Sequence, residues 1–175
     1  MADPRNILIR CCRKAADLGF TLKVGAEFEF YLLERSELPK MKPHDHKGYF
    51  DYTPQSRAIN VCQNTMEALG AFGVICEMHH HEVGYGQHEL DTRYAEALKT
   101  ADTILTLKVT LKAYTSGSGL KATWMPKPIT GLAGSGMHVH LSLWKEDQNC
   151  FYDKDGQYNL SSTARHFLAG QLQHA

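Results

Sequence analysis

The stretch that decides the fold reads Thr21-Leu-Lys-Val-Gly-Ala-Glu-Phe-Glu-Phe-Tyr-Leu-Leu-Glu34. Its side chains alternate in character, as they do on a β-strand whose two faces meet different surroundings. One face carries the apolar residues Val24, Ala26, Phe28, Phe30 and Leu32, and the other carries Gly25, Glu27, Glu29 and Tyr31. We therefore predict a strand that is buried on one face and polar on the other.

Helices and further strands follow from the same kind of pattern. The predicted helices begin at Asp3-Pro4, at Thr53-Pro54, near Thr92 (running to Tyr114, with Leu98, Ala101, Leu105, Leu111 and Tyr114 inward) and at Ser161 or Ser162. The predicted strands are 74–81, 121–125 and 137–143, and segments 39–48 and 82–89 are predicted loops. Because several strands are polar along one whole face, a sheet with helices on one face and a polar cavity on the other fits better than a doubly wound parallel sheet.

Composition excludes several classes of function. The 175 residues include 19 basic and 19 acidic side chains, and this zero formal charge gives no support for a nucleic-acid or anionic-membrane partner. No apolar stretch approaches the ~20 residues of a membrane helix, and the polar N-terminus does not resemble a signal peptide. Five cysteines without a CxxC pair disfavour a disulfide framework and a structural zinc site. We expect a single cytoplasmic domain over residues 1–175.

Three segments carry candidate metal ligands. Glu27 and Glu29 project side by side from the polar face of the first strand, where their repulsion is relieved either by solvent or by a divalent cation. His79-His-His-Glu82 ends another strand, and Glu89 lies in the loop that follows. Strict alternation would place Glu77, His79 and His81 on one face of that strand and Cys76, Met78 and His80 on the other, so the three histidines cannot all bind one ion.

The third segment is Met137-His-Val-His-Leu-Ser-Leu143, in which His138, His140 and Ser142 form a polar row. We expect Met137, Val139, Leu141 and Leu143 to back this row in the core. Four carboxylates with at least one imidazole make a mainly oxygen-donor set, which favours Mg²⁺ or Mn²⁺ and phosphoryl chemistry. A zinc hydrolase built on His79, His80 and His81 is a much weaker alternative.

Four blocks resemble, in order and spacing, the signature blocks of bacterial and archaeal glutamine synthetases. They are Gly25-Ala-Glu-Phe-Glu-Phe30, His80-His-Glu-Val-Gly-Tyr-Gly-Gln-His-Glu89, Ala122-Thr-Trp-Met-Pro-Lys-Pro128 and Gly134-Ser-Gly-Met-His-Val-His140. The resemblance runs from about Asp3 to the end of the chain. It implies an α+β fold in which a curved, mainly antiparallel sheet lines a metal and nucleotide cavity, as an incomplete half-barrel.

The resemblance also implies roles for individual residues. Glu29, Glu82 and Glu89 match ligands of the tighter metal site, and Glu27 and His138 match ligands of a second metal that bridges the ATP phosphates. Positions that line the nucleotide are matched by Glu77, Tyr94, His140 and Ser142, and Gly134 matches a backbone contact to the amino-acid substrate. The implied reaction joins ammonia to glutamate through γ-glutamyl phosphate, with ATP as substrate and Mg²⁺ or Mn²⁺ as cofactor, in a homo-oligomeric ring.

Two departures from the family pattern matter. Ala133 stands where the family usually has an Asn that helps to hold the amino acid, which leaves open a γ-glutamyl-amine ligase. The small N-terminal domain and the later half of the catalytic domain have no counterpart in the 175 residues. We therefore expect no catalytic residue with a firm assignment here and no turnover by this chain alone, and a non-catalytic metal-binding relative is the other alternative.

Overall fold

The structure, a computed structural model, describes residues 3–35 and 41–175, so positions 39 and 40 of the predicted loop 39–48 lie outside the described residues. The helices are α1 (Pro4–Asp17), α2 (Arg57–Ala71), α3 (Ala97–Ser116) and α4 (Ser162–His174). The strands are β1 (Thr21–Glu34), β2 (Cys76–His81), β3 (Gln87–Glu96), β4 (Leu120–Thr123), β5 (Met137–Lys145) and β6 (Gln148–Asn149). A short 3-10 turn spans Gln157–Asn159.

All six strands belong to one sheet, in the order β2-β3-β1-β5-β6, with β4 also paired to β1. Antiparallel registers join Tyr31 to Thr123, His80 to Glu89, and Trp144 to Asn149. The expected α+β class with an antiparallel sheet is thus confirmed.

The chain divides into two compact units, of which the larger comprises Gly25–Tyr94 and Ala101–Val139. In this unit Phe28, Phe30 and Leu32 of β1 are nearly or fully buried, as the alternation predicted. They belong to one apolar cluster that also includes Leu69 of α2 and Leu111 of α3. Each such side chain contributes about 1.5–3 kcal/mol when fully buried. This core holds β1 in place. The opposite face of β1 carries the polar side chains.

The smaller unit comprises Met1–Val24, Ala95–Thr100 and His140–Ala175. Its helix α4 begins after Ser161, whose hydroxyl oxygen accepts a hydrogen bond from the amide of Ala164 at 3.1 Å. The ring of Phe167 on α4 lies 5.1 Å from that of Phe151. The prediction of one domain over residues 1–175 stays a prediction.

The boundary between β3 and α3 differs from the sequence prediction. Residues 87–96 form a strand, although segment 82–89 was expected to be a loop and the helix was expected to begin near Thr92. Leu90 and Thr92 are buried, and the residues next to them on β3 face the opposite side of the sheet. Strand β2 pairs with β3 along its backbone. Strand pairing therefore outweighs the local helical pattern. On α3, Leu111 is buried as expected, but Leu105 and Tyr114 are exposed and Leu107 is buried instead.

Two face assignments were also wrong. Strand β2 has a bulge between Cys76 and Met78, so Cys76 packs on the core and does not share a face with His80. A bulge inserts one residue and reverses the alternation beyond it. On β5, Met137 and Val139 are 51% and 46% exposed, so they do not back the polar row from the core.

Candidate metal centre

The polar face of the sheet carries a compact group formed by His80, Glu82 and Glu89. His80 and Glu89 are cross-strand neighbours, and Glu82 directly follows β2. The Nδ1 atom of His80 lies 3.7 Å from Oε1 of Glu82, and its Nε2 atom lies 4.0 Å from Oε1 of Glu89. All three side chains are at most 12% exposed. One ligand atom from each residue lies within 4.8 Å of the others, which is close enough to hold a metal ion.

Glu29 is held in place by a buried amide. Oε2 of Glu29 accepts hydrogen bonds from Nε2 of Gln87 at 2.6 Å and from the backbone amide of Gly136 at 2.9 Å. The fully buried Gln87 also donates to the carbonyl of Gly134 at 2.9 Å, and its Oε1 accepts from the amide of Gly84 at 2.9 Å. These bonds fix the carboxylate and leave its other oxygen, Oε1, as the one that can take a cation.

The pKa of Glu89 reflects its burial and the other carboxylates near it. Burial, together with the hydrogen bond and charge of Asp91 and the charges of Glu82 and Glu29, raises the pKa of Glu89 to about 8. Burial and then the charges of Glu29 and Glu82 also raise the pKa of the Tyr31 phenol. Glu29 and Glu82 therefore both act on Glu89 and on Tyr31, and a divalent cation would relieve the repulsion among the three carboxylates.

Glu27 and His138 form a second pair on the same face. The Nδ1 atom of His138 lies 3.0 Å from Oε2 of Glu27, at a more open position than the first group. Gly136 connects the two groups, because a Cβ atom there would lie 2.8 Å from Oε1 of Glu29 and 3.4 Å from Nε2 of His138. The five predicted metal ligands thus lie in one compact unit, as a buried set and an adjoining exposed pair. Carboxylate oxygens with one or two imidazoles fit Mg²⁺ or Mn²⁺ better than a softer ion.

The loop that carries Gly134 packs tightly against the carboxylates. The hydroxyl of Tyr31 donates to the carbonyl of Ala133 at 2.6 Å, and a Cβ atom on Gly134 would meet the carbonyl oxygen of Pro126 at 2.7 Å. Glycine is needed at 134 for this approach, and the backbone of Ala133 has a role that does not depend on its side chain. The contact of Gly134 to a substrate stays a prediction.

The four predicted nucleotide residues lie in different surroundings. In the larger unit, Glu77 is the exposed bulge residue of β2, and Tyr94 of β3 is 46% exposed. In the smaller unit, His140 is exposed on β5, and Ser142 accepts a hydrogen bond from Nε1 of Trp144 at 2.9 Å. Their role in nucleotide binding stays a prediction.

The three consecutive histidines do not share an ion. His80 faces Glu82 and Glu89, whereas Nε2 of His81 lies 3.1 Å from Oδ1 of Asp45. His79 lies in a third group, with Cys62 and His88. The arrangement removes the geometric basis of the zinc hydrolase alternative.

Sequence reasoning missed several residues of this centre. Gln87 and Asp91 were not singled out, and His80 was not distinguished from its two neighbours. A signal was present, because Gln87, Glu89 and Asp91 alternate with His88, Leu90 and Thr92 just as a half-buried strand requires. This alternation was missed because segment 82–89 was interpreted as a loop.

Fold and site together define a class, namely an α+β protein whose antiparallel sheet carries a carboxylate-rich centre suited to hard divalent cations. Comparison with known proteins narrows this class. The family model described as "Glutamine synthetase, catalytic domain" matches residues 1–175, so the chain belongs to the glutamine synthetase family.

Individual relatives agree with this assignment. The chain is 46% identical over 174 residues to a glutamine synthetase of Pyrococcus abyssi, and 48% identical over 176 residues to one of Thermus thermophilus. These matches cover 99% of the chain but only 39% and 40% of the relatives. The chain therefore spans about 40% of the length of the curated relatives it matches.

Solved structures show the same fold. A cryo-electron-microscopy structure of Plasmodium falciparum glutamine synthetase superposes with a TM-score of 0.89 at 26% identity, over 98% of this chain and 40% of that one. A structure described as "Apo GmaS without ligand" has a TM-score of 0.88 at 34% identity, over 98% of this chain and 41% of that one.

Proposed function

We propose that this chain supplies the metal-binding carboxylates of the active site of a ligase. The ligase joins ammonia to glutamate through γ-glutamyl phosphate, with ATP as the phosphoryl donor. The observation that carries the proposal is the group of Glu82 and Glu89 around His80, with Glu29 held on the neighbouring strand and the Glu27–His138 pair beside it. Such a set of like charges is costly in a protein unless it binds cations.

Mg²⁺ or Mn²⁺ bound to these residues would neutralise the oxygens of a transferring phosphoryl group. The surrounding residues of the protein orient the metal ligands. Gln87 and the Gly136 amide fix the orientation of Glu29, and His80 lies between Glu82 and Glu89. Glycine at 136 lets the backbone approach Glu29 closely, because a Cβ atom there would lie 2.8 Å from Oε1 of that carboxylate.

Glu77, Tyr94, His140 and Ser142 would line the nucleotide, and Gly134 would contact the amino acid. These assignments follow from the family pattern, since the matching blocks stand in the same order. A family member of this kind acts on small molecules, and we propose a cytoplasmic homo-oligomeric ring as its assembly. None of the described helices is long and apolar enough to cross a bilayer.

Cation binding tests the proposal directly. We expect Mn²⁺, followed by the loss of its free-ion electron paramagnetic resonance signal, to bind the chain and to bind at least about 10-fold more weakly after Glu29→Gln or Glu89→Gln. Glu67→Gln is the matched control, because Glu67 lies exposed on α2. Equal Mn²⁺ affinity in all four proteins would overturn the proposal.

Turnover is a separate question. The relatives are about two and a half times as long as this chain, and we propose that the chain alone binds cations without catalysing ligation. A γ-glutamyl-transfer assay with Mn²⁺ and ADP checks this. Clear turnover by the 175 residues would contradict it.

A γ-glutamyl-amine ligase is the second candidate, and Ala133 is the observation that favours it. The methyl group of Ala133 offers no hydrogen bond, while its carbonyl is occupied by Tyr31. An amide side chain at this position would add a polar contact for the amino acid. A protein in which this chain replaces the matching segment of a longer relative can be assayed with ammonia and methylamine as competing acceptors, and a preference for methylamine would favour the second activity.

A further inference from the structure

Behind the carboxylates, on the core side of β2 and β3, lies a second group of potential ligands. Cys62 of α2, His79 of β2 and His88 of β3 each offer one ligand atom within 4.8 Å of the other two. Cys62 is fully buried and His88 is 3% exposed. The hard-cation centre uses none of these three side chains.

Two of the ring nitrogens have no hydrogen-bond partner among the residues that the structure describes. They are Nε2 of His79 and Nδ1 of His88, both inaccessible to solvent. Buried polar atoms in proteins almost always have a partner, so each such atom needs an explanation.

The far side of the His88 ring is held as ligating histidines usually are. Its Nε2 lies 2.8 Å from Nε2 of His44, so one of these two nitrogens donates a hydrogen bond to the other. If His88 donates its Nε2 proton to His44, its unpartnered Nδ1 carries a lone pair that can bind a metal ion. A hydrogen bond from the second ring nitrogen fixes the tautomer and orientation of a metal-bound histidine.

We propose that Cys62, His79 and His88 form a second metal site, which binds a borderline-soft divalent cation of the zinc type. One thiolate sulfur and two neutral imidazoles are ligands that zinc prefers and that magnesium and manganese do not. The site joins α2 to β2 and β3 directly behind Glu89, so it would stabilise the strands that carry the carboxylates. A cavity of about 490 Å³ that is lined in part by His79 and His88 gives the ion a path of entry.

Binding replaces the thiol proton of Cys62 with the metal, and this proton leaves to solvent. Burial raises the pKa of this thiol, so the exchange needs the metal itself to stabilise the thiolate. Ligand atoms up to 4.8 Å apart must close by about 1 Å to reach zinc–sulfur and zinc–nitrogen bonds of ~2.3 and ~2.1 Å.

Cobalt(II) is the probe that tests the site, because a cobalt–thiolate bond gives a charge-transfer band that oxygen and nitrogen ligands do not give. The chain is titrated with Co²⁺ in excess Mg²⁺, which occupies the carboxylate centre. We expect one Co²⁺ per chain with a thiolate band, displaced by Zn²⁺ and retained in Glu89→Gln. The absence of the band in the unmodified chain would overturn the proposal without any variant.

Variants then assign the sulfur. We expect Cys62→Ser to abolish the band and His44→Ala to weaken Zn²⁺ binding by about 10- to 100-fold, as loss of a supporting hydrogen bond does. Cys76→Ser is the matched control, since Cys76 is half-buried on β2 and outside the cluster. A band that survives Cys62→Ser, or that is lost equally in a folded Cys76→Ser, would contradict the assignment. Circular dichroism establishes that each variant is folded.

Discussion

Replacement of Gln87 by glutamate is the sharpest test of how the carboxylate centre is held. The change keeps the shape of the side chain but turns the donor that lies 2.6 Å from Oε2 of Glu29 into a second acid. Two charges about 3 Å apart at an effective dielectric constant of about 20 repel by about 5 kcal/mol. The new carboxyl avoids this by staying protonated, so its pKa in the folded state rises toward about 8.

The sign of the pH effect follows from that shift. An acid whose pKa is raised on folding costs nothing below its unfolded pKa of about 4.3, and the cost grows as pH rises toward the folded value. We expect Gln87→Glu to lower the free energy of unfolding by about 1 kcal/mol at about pH 5 through this effect and by about 4 kcal/mol at about pH 7.5. Lost hydrogen bonds add a contribution that does not depend on pH.

Urea denaturation at the two pH values measures the difference, with Gln63→Glu on the exposed face of α2 as the matched charge control. Saturating Mn²⁺ should recover part of the loss at the higher pH, since a bound cation offsets the added charge. If Gln87→Glu costs the same at both pH values, or no more than Gln63→Glu, then residue 87 does not lie against the charge of Glu29.

Three further predictions concern the same centre. Gly84→Ala should lower the free energy of unfolding by about 3 kcal/mol or more by urea denaturation, because the added Cβ atom would overlap the hydroxyl of Tyr31; a loss below 0.5 kcal/mol would contradict the packing. Tyr31→Phe should cost about 1–2 kcal/mol in the same assay through the lost bond to Ala133, and an unchanged stability would count against that bond. Mn²⁺ binding at about pH 7 should release about one proton, because the pKa of Glu89 is raised to about 8. Calorimetry in buffers of different ionisation enthalpy detects this release. If no proton is released, Glu89 is already ionised before the metal binds.

Much of the fold could be predicted from the sequence, because β1 alternates strictly and its apolar face forms the core. Phe28, Phe30 and Leu32 needed no tertiary information to be placed. β3 could not be placed in the same way, because its pairing with β2 is a long-range interaction that local pattern does not contain. The β2 bulge at Glu77 is likewise set by that pairing, so strict alternation placed Cys76 on the wrong face.

The metal-binding residues of the candidate site could be predicted from the sequence, but the residues that hold them in place could not. Carboxylates on an otherwise apolar strand are conspicuous in a sequence, and the family pattern linked Glu27 and Glu29 to the distant Glu82 and Glu89. Gln87 was not conspicuous, because a glutamine in a polar segment reads as exposed until its three hydrogen bonds are known. The cluster of Cys62, His79 and His88 depends on three elements that only the fold brings together.

We propose that divalent cations bring together the acids of β1 with those that end β2 and lie on β3, and with His138 of β5. A crystal of this chain soaked in Mn²⁺, with the anomalous signal of manganese mapped, tests that claim most directly. We predict a peak bounded by Glu29, Glu82 and Glu89, and a weaker one between Glu27 and His138. Manganese found only elsewhere on the protein, with these side chains left unbound, would contradict it.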